Sequence, residues 1–303
     1  MSKPEKPLPF SYFFLAGGMA GVSEILVMYP LDVVKTRFQL QVGTGGEGYT
    51  SIADCFRKII KNEGFGRLYR GILPPILVEA PKRAIKFAAN EQYSKMFKSI
   101  YKTDTMTQQM SVMSGVSAGC TEAFVVVPAE LVKIRLQDKA NAGKYTGTAD
   151  AFVKIVKQEG PFALFNGLEA TIWRHATWNG GYFGVIYTIR KRLPKAEASI
   201  LRIVQCTKKG TLFNNFVAGA IGGTVGTIIN TPFDVVKTRI QGDSGPNRKY
   251  NWTLPALKTV FREEGFGALY KGFVPKVLRL GPGGGILLVV FDTVTTWMRK
   301  HLM

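Results

Sequence analysis

Pro30-Leu31-Asp32-Val33-Val34-Lys35-Thr36-Arg37-Phe38-Gln39 is the stretch from which the fold can be read, because it occurs three times. Its second copy is Pro128-Ala129-Glu130-Leu131-Val132-Lys133-Ile134-Arg135-Leu136-Gln137. The third is Pro232-Phe233-Asp234-Val235-Val236-Lys237-Thr238-Arg239-Ile240-Gln241. The prolines lie 98 and 104 residues apart. A recurring Pro-x-acid-x-x-Lys-x-Arg-x-Gln is too strict to be composition, so the chain reads as three copies of one unit.

The repeat extends around this core. A Gly-x-x-x-Gly precedes each proline: Gly17 to Gly21, Gly115 to Gly119 and Gly219 to Gly223. Some thirty residues after each proline stands Glu-Gly, as Glu63-Gly64, Glu159-Gly160 and Glu264-Gly265. An aromatic-x-Gly follows at once: Tyr69-Arg70-Gly71, Phe165-Asn166-Gly167 and Tyr270-Lys271-Gly272. The 303 residues carry no linker or low-complexity stretch, so one domain of three units is expected: 1–104, 105–206 and 207–303.

The formal net charge of +19 points to an anionic partner, whether nucleic acid, membrane surface or ligand. Nucleic acid is the weaker choice, because no recognition-module signature appears and the basic residues sit beside glycine-rich apolar stretches. Cys55, Cys120 and Cys206 are scattered, without CxxC or a nearby histidine, which speaks against a disulfide framework or a zinc site. Residues 1–10 lack an apolar signal core and an Arg/Ser-rich amphipathic pattern, so targeting information is expected within the chain.

Hydropathy marks three apolar stretches before or through the prolines, Phe13–Leu31, Val112–Val127 and Phe213–Phe233. Each approaches the ~20 residues of a spanning helix. A second, more charged stretch follows in each repeat, at Pro74–Tyr93, Ala170–Ile189 and Val274–Trp297. Six spans with a mean hydropathy near zero fit helices around a water-filled cavity, each keeping one polar face. Small-xxx-small spacing permits close helix approach in lipid. Between the spans lie amphipathic stretches at 52–61, 148–158 and 253–263 that suit short surface helices; Ile52, Phe56, Ile59 and Ile60 share a face in the first.

Pro30, Pro128 and Pro232 should kink their helices. The acid and lysine three residues apart admit an intrahelical pair worth a few tenths of a kcal/mol. The stronger reading is interhelical. Asp32, Glu130 and Asp234 would alternate with Lys35, Lys133 and Lys237 in a closed ring, braced by Gln39, Gln137 and Gln241. Membrane charges are expensive and retained for function, which favours the ring. Such a ring would close one end of the cavity.

With every proline motif, glutamine, Glu-Gly and aromatic-x-Gly complete, the chain resembles the mitochondrial carrier family over essentially its whole length. The resemblance implies an all-α membrane protein: six transmembrane helices in a threefold pseudosymmetric barrel, with three short matrix surface helices. It implies alternating access in the inner membrane, both termini toward the intermembrane space, structural cardiolipin between repeats and no other cofactor, and function as a monomer. The family's second gate, aromatic-acid-x-x-basic, is degenerate here: Glu91, Arg190 and Asp292 are its remaining charges.

Asymmetric positions should serve the substrate. Lys82, Arg83 and Lys86 crowd one arc, Arg174-His175 stands in mid-span, and so does Arg279. Neither arginine has an acid at i±3 or i±4 on its own helix, an expensive placement unless an anion visits. Guanidinium forks suit carboxylates and phosphates. Within the family, Arg174-His175 resembles the keto-acid and carboxylate branch, and the run Glu79–Phe87 resembles 2-oxodicarboxylate carriers (2-oxoadipate, 2-oxoglutarate); citrate, malate and other carboxylates are alternatives. Other readings stand beside these. Lys82 or Lys86 could snorkel to a headgroup or pair with Glu79. Arg279 could be structural, and His175 could be a satisfied polar residue or a proton carrier. Glu24 and Glu122 admit proton coupling or pairing with the basic cluster. Trp173, Trp178 and Tyr182 read as cavity wall or as packing.

Two other classes compete. A carrier-fold sensor that no longer transports is disfavoured by the complete ring motif. An enzyme is disfavoured because no nucleophile–base pair, Walker loop or metal cluster is legible. Gly281-Pro282-Gly283-Gly284-Gly285 imitates a phosphate cradle but lacks the Lys-Ser/Thr continuation.

Overall fold

The computed structural model describes residues 10–42, 48–178, 208–245 and 248–302. Arg190, Tyr182 and Cys206 lie outside the described residues. Among the described residues the chain is helical: α1 Phe10–Leu40, α2 Ile52–Glu63, α3 Leu73–Ile100, α4 Gln108–Gln137 and α5 Thr148–Glu159. There follow α6 (168–178), α7 Lys208–Gly242, α8 Thr253–Glu264 and α9 Phe273–Leu302. Short 3₁₀ turns at Phe65–Tyr69, Pro161–Phe165 and Phe266–Tyr270 join each short helix to the long one after it.

Among the described residues three stretches, Phe14–Leu40, Gln109–Gln137 and Phe266–Lys300, are long and apolar enough to cross a membrane. At 28 residues α3 has the length but not the apolarity, since Glu79, Lys82, Arg83 and Lys86 fall within two of its turns. A charged arc of this kind is tolerated where it faces a bundle interior. α1 packs most extensively against α9, and α3 against α4, with further contacts between α1 and α3, α7 and α9, and α1 and α7. The long helices thus follow one another around a barrel, and α9 returns to α1. Pro30, Pro128 and Pro232 lie inside α1, α4 and α7, two residues before each motif acid.

Each repeat builds its own small core at the end where the motif sits. In the first, Val33 and Val34 of α1, Cys55 and Ile59 of α2, and Leu68 of the 3₁₀ turn are buried together. The counterparts Val132, Ile155 and Leu164, and Val236, Val260 and Leu269, do the same in the second and third. Ile52 and Phe56 flank the first cluster, whereas Ile60 is exposed, so the buried stripe of α2 is narrower than its sequence implied. Burial pushes the Cys55 thiol up to about 12, so it carries no thiolate chemistry.

Both glycine motifs have structural causes. Gly64, Gly160 and Gly265 end α2, α5 and α8 at φ of 86°, 86° and 82°, a conformation costly for residues with a Cβ. Gly71, Gly167 and Gly272 combine positive φ with a close approach. A Cβ on Gly71 would sit 3.2 Å from the Lys133 carbonyl oxygen, on Gly167 2.8 Å from Gln241 Cγ, and on Gly272 3.1 Å from the Lys35 carbonyl oxygen. Every repeat thereby nests its turn on the motif helix of the next, and the third repeat closes on the first. The Gly-x-x-x-Gly motif acts differently from the expectation. Around Gly17 and Gly115 a Cβ would meet nothing within 4 Å. Gly21 instead makes room for Glu79 and Arg83, and Gly119 for His175. These glycines admit side chains of neighbouring helices rather than a helix backbone; Gly219 and Gly223 lie outside the described side chains.

Candidate substrate cavity and its ion-pair ring

At the motif end of the barrel the three acids and three lysines pair between helices. Asp32 of α1 meets Lys133 of α4 at 3.0 Å, Glu130 of α4 meets Lys237 of α7 at 2.5 Å, and Asp234 of α7 meets Lys35 of α1 at 2.6 Å. The ring is closed, and Lys133 rather than Lys35 is the partner of Asp32. Lys133 also stands 5.1 Å from the centre of the Tyr29 ring. Of the three glutamines, Gln39 reaches the ring: its amide donates to Asp234 at 3.1 Å and accepts from Thr238 at 2.7 Å. Gln137 and Gln241 are fully buried, and neither reaches a ring acid among the described contacts. Gln241 packs against Gly167 instead.

Above the ring lies a cavity of about 240 Å³, lined in part by Lys82, Arg174 and Arg279 together with the ring residues. Arg279 is not left unneutralised. It bridges Asp32 at 2.5 Å and Glu24 at 3.0 Å, both on α1. Arg174 is held more loosely, 3.9 Å from Glu130 and 3.2 Å from His175 Nε2. Lys276, one turn before Arg279, lies 3.3 Å from Asp234. Every ring acid therefore carries two cations, a motif lysine and a second one from α6 or α9. With Glu24 counted, six cations meet four carboxylates, which leaves the floor net positive.

The α3 charges are paired among themselves and with α4. Glu79 is buried and holds Arg83 at 2.6 Å and Lys82 at 3.3 Å. Lys86 reaches Glu122 at 3.5 Å. Of the predicted substrate residues, Lys82, Arg174 and Arg279 converge on the cavity, while Arg83, Lys86 and His175 stand outside its described lining. Trp173 stacks on Phe233, and Trp178 fills the space beside Gly226, so both are packing residues in this state. At the opposite end Glu91 pairs with Lys95 of its own helix, and Asp292 is exposed.

A second tier of ion pairs, which the sequence reading did not assign, lies beyond the ring. The motif arginines meet the Glu-Gly carboxylates of their own repeats: Arg37 with Glu63 at 2.7 Å, Arg135 with Glu159 at 2.8 Å, and Arg239 with Glu264. Each carboxylate again takes a second cation, from Arg67, Arg248 and Lys271 respectively. Arg135 also donates to the Gln241 and Asp243 carbonyls at the end of α7, and Arg239 to the Gln39 carbonyl at the end of α1. These bonds satisfy helix-end carbonyls that have no partner within the helix. Burial pushes the Glu264 carboxyl up, but hydrogen bonds from Arg239 and Lys271 outweigh it and hold it at about 2. The recurrence of both residues at one offset was the available signal.

A barrel of three repeats, closed at one end by charged residues and basic within, is the architecture of a solute carrier. Residues 6–101, 104–197 and 208–302 match the model of the mitochondrial carrier protein family, and the chain belongs to that family. A mitochondrial citrate transporter D from Aspergillus niger is 60% identical over 98% of this chain and 97% of its own length. A probable mitochondrial 2-oxodicarboxylate carrier from Schizosaccharomyces pombe is 57% identical, covering 99% and 98%. The human mitochondrial 2-oxodicarboxylate carrier is 41% identical over 99% of each chain.

Proposed function

We propose that the chain is a mitochondrial inner-membrane antiporter that exchanges 2-oxodicarboxylates, 2-oxoadipate and 2-oxoglutarate, by alternating access. The observation that carries this reading is the pair Arg174 and Arg279. They occupy the same position in the second and third repeats and line a small cavity whose floor has more cations than acids. A dicarboxylate presents two planar anions to two planar forks, a match lysine would not give. The names of the relatives agree with this substrate class.

Asp32, Glu130, Asp234 and their lysines form the matrix gate, closed here, with Pro30, Pro128 and Pro232 as the bends at which the helices move. Glu91, Arg190 and Asp292 form a weaker cytosolic gate. Lys82 extends the substrate site; Arg83, Lys86 and His175 act nearer its entrance. Glu24 and Glu122 act as counter-ions of the empty site, since each is already held by a cation. The protein works as a monomer with both termini toward the intermembrane space. Cardiolipin binds between the repeats. Its headgroup acids suit the short-helix starts and the aromatic-x-Gly turns.

Citrate is the second reading, favoured by the named activity of the Aspergillus niger relative and by the further cation Lys276 beside the ring. Liposomes preloaded with single acids separate the two. Uptake of labelled 2-oxoglutarate should be rapid against internal 2-oxoadipate or 2-oxoglutarate and negligible against internal ADP, phosphate or buffer. Faster uptake against citrate than against either oxodicarboxylate would reverse the order, and rapid uptake into empty liposomes would overturn exchange itself.

A further inference from the structure

The three legs of the ring are not equally held. Asp32 and Glu130 take their second cations from Arg279 and Arg174, which line the cavity. Asp234 takes its second cation from Lys276, at 3.3 Å, and a hydrogen bond from Gln39 at 3.1 Å, in addition to Lys35 at 2.6 Å. The Lys276 side chain is 17% exposed, against 31% for Arg279, and it is outside the cavity's described lining. Its repeat positions in the first and second units are Pro75 and Thr171, so symmetry does not require a cation there.

We propose that Lys276 is a positioning residue that locks the Asp234–Lys35 leg, so that the ring opens in order and this leg parts last. The inference rests on the reading that Arg174 and Arg279 receive the substrate. When a dicarboxylate draws both arginines toward itself, Asp32 and Glu130 each keep one lysine. A buried acid with one partner is easier to separate from it than an acid with two, because less Coulomb and hydrogen-bond energy is lost. Asp234 keeps Lys35, Lys276 and Gln39 throughout. In the empty carrier all three acids are doubly held, which disfavours opening without cargo. Lys276 raises the cost of opening with and without cargo alike. Its loss is therefore felt where opening limits the rate, in the empty carrier, and not in exchange, where the loaded ring is already loosened at Asp32 and Glu130; substrate affinity is untouched.

The test is the full-length Lys276→Gln variant in liposomes. Efflux of labelled internal 2-oxoglutarate into substrate-free buffer, divided by its exchange rate, should rise about tenfold over wild type, with KM for external substrate within about twofold. Lys276→Arg should return the ratio toward wild type. A wild-type ratio in Lys276→Gln overturns the lock, and a tenfold rise in KM at unchanged ratio makes Lys276 a substrate ligand instead. Should Lys276→Gln not fold, Gln39→Ala removes the other brace on the same leg. It should raise the ratio in the same direction, and an unchanged ratio there overturns the proposal. Thermal stabilisation of wild type by 2-oxoglutarate keeps the two readings apart: its absence sinks the substrate assignment, whereas an unchanged ratio in a stabilised protein sinks the lock alone.

Discussion

On α1, α4 and α7 the motif charges obey the threefold repeat, as Asp32, Glu130 and Asp234 alternate with three lysines in one closed ring. On α3, α6 and α9 the charges do not. Arg174 and Arg279 share a repeat position held by Val78 in the first unit; away from the motif, Glu24 of α1 and Glu122 of α4 likewise share one held by Gly226 of α7. The first set closes its ring with its own symmetric copies. The second borrows partners from the first, since Arg279 rests on Asp32 and Arg174 lies near Glu130. Symmetry thus marks the parts that move together, and its breakdown marks the parts that meet an asymmetric solute. The borrowed contacts join the two, because an anion that takes the arginines also loosens the ring.

The largest effect should come from reversing a symmetric charge. Asp32→Lys is expected to lower exchange to about 1% of wild type or less, since it places like charges together where water is scarce. Adding Lys133→Asp should recover part of the activity, whereas adding Lys35→Asp should not, because Lys35 holds Asp234. Rescue by Lys35→Asp alone would break the ring as described.

The asymmetric arginines should separate from one another next. Arg279 spans two carboxylates, so Arg279→Lys should lower both transport and the melting temperature. Arg174 has one distant acid, so Arg174→Lys should impair transport and leave the melting temperature within about 2 °C of wild type. Equal losses of stability in both variants would show that the two arginines are held alike.

How much of this was legible follows from the same contrast. Repetition made the ring readable, because three copies of one spacing exclude chance and geometry then leaves few pairings. It also implied a role for the motif arginines and Glu-Gly carboxylates that the sequence reading left unassigned, although both recur at fixed offsets. The counter-ions of Arg279 were hidden, since Asp32 and Glu24 lie 247 and 255 residues away in sequence. Lys276 was hidden too, as a lone lysine without a repeat counterpart. The brace was over-read: three glutamines recur, but among the described contacts Gln39 reaches a ring acid. Symmetry in sequence fixes position, while a hydrogen bond also depends on asymmetric neighbours.

The second tier offers a smaller effect with a pH signature. Glu264→Gln should cost roughly 2–3 kcal/mol by removing the charge that Arg239 and Lys271 share. Hydrogen bonds from those cations hold the Glu264 carboxyl, against the effect of burial, at about 2 rather than 4.5. A depressed acid contributes its full stabilisation above its unfolded value and loses it as pH falls through the folded one. The melting temperature of wild type should therefore fall between about pH 4.5 and pH 2 more steeply than that of Glu264→Gln. Parallel curves would remove the ion pair from the account. Smaller still, Gln39→Ala should cost about 1 kcal/mol and Gln137→Ala less, since only the first loses a bond to the ring. Equal costs would restore a symmetric brace.

The most direct test of the link between ring and wall is the melting temperature of the purified, detergent-solubilised protein with and without ligand. A ligand that binds only the folded state raises it by mass action. 2-Oxoadipate and 2-oxoglutarate should raise it for wild type and raise it much less for Arg174→Lys, whereas ADP should leave both unchanged. Stabilisation of wild type by ADP and not by either oxodicarboxylate would contradict the account of the cavity.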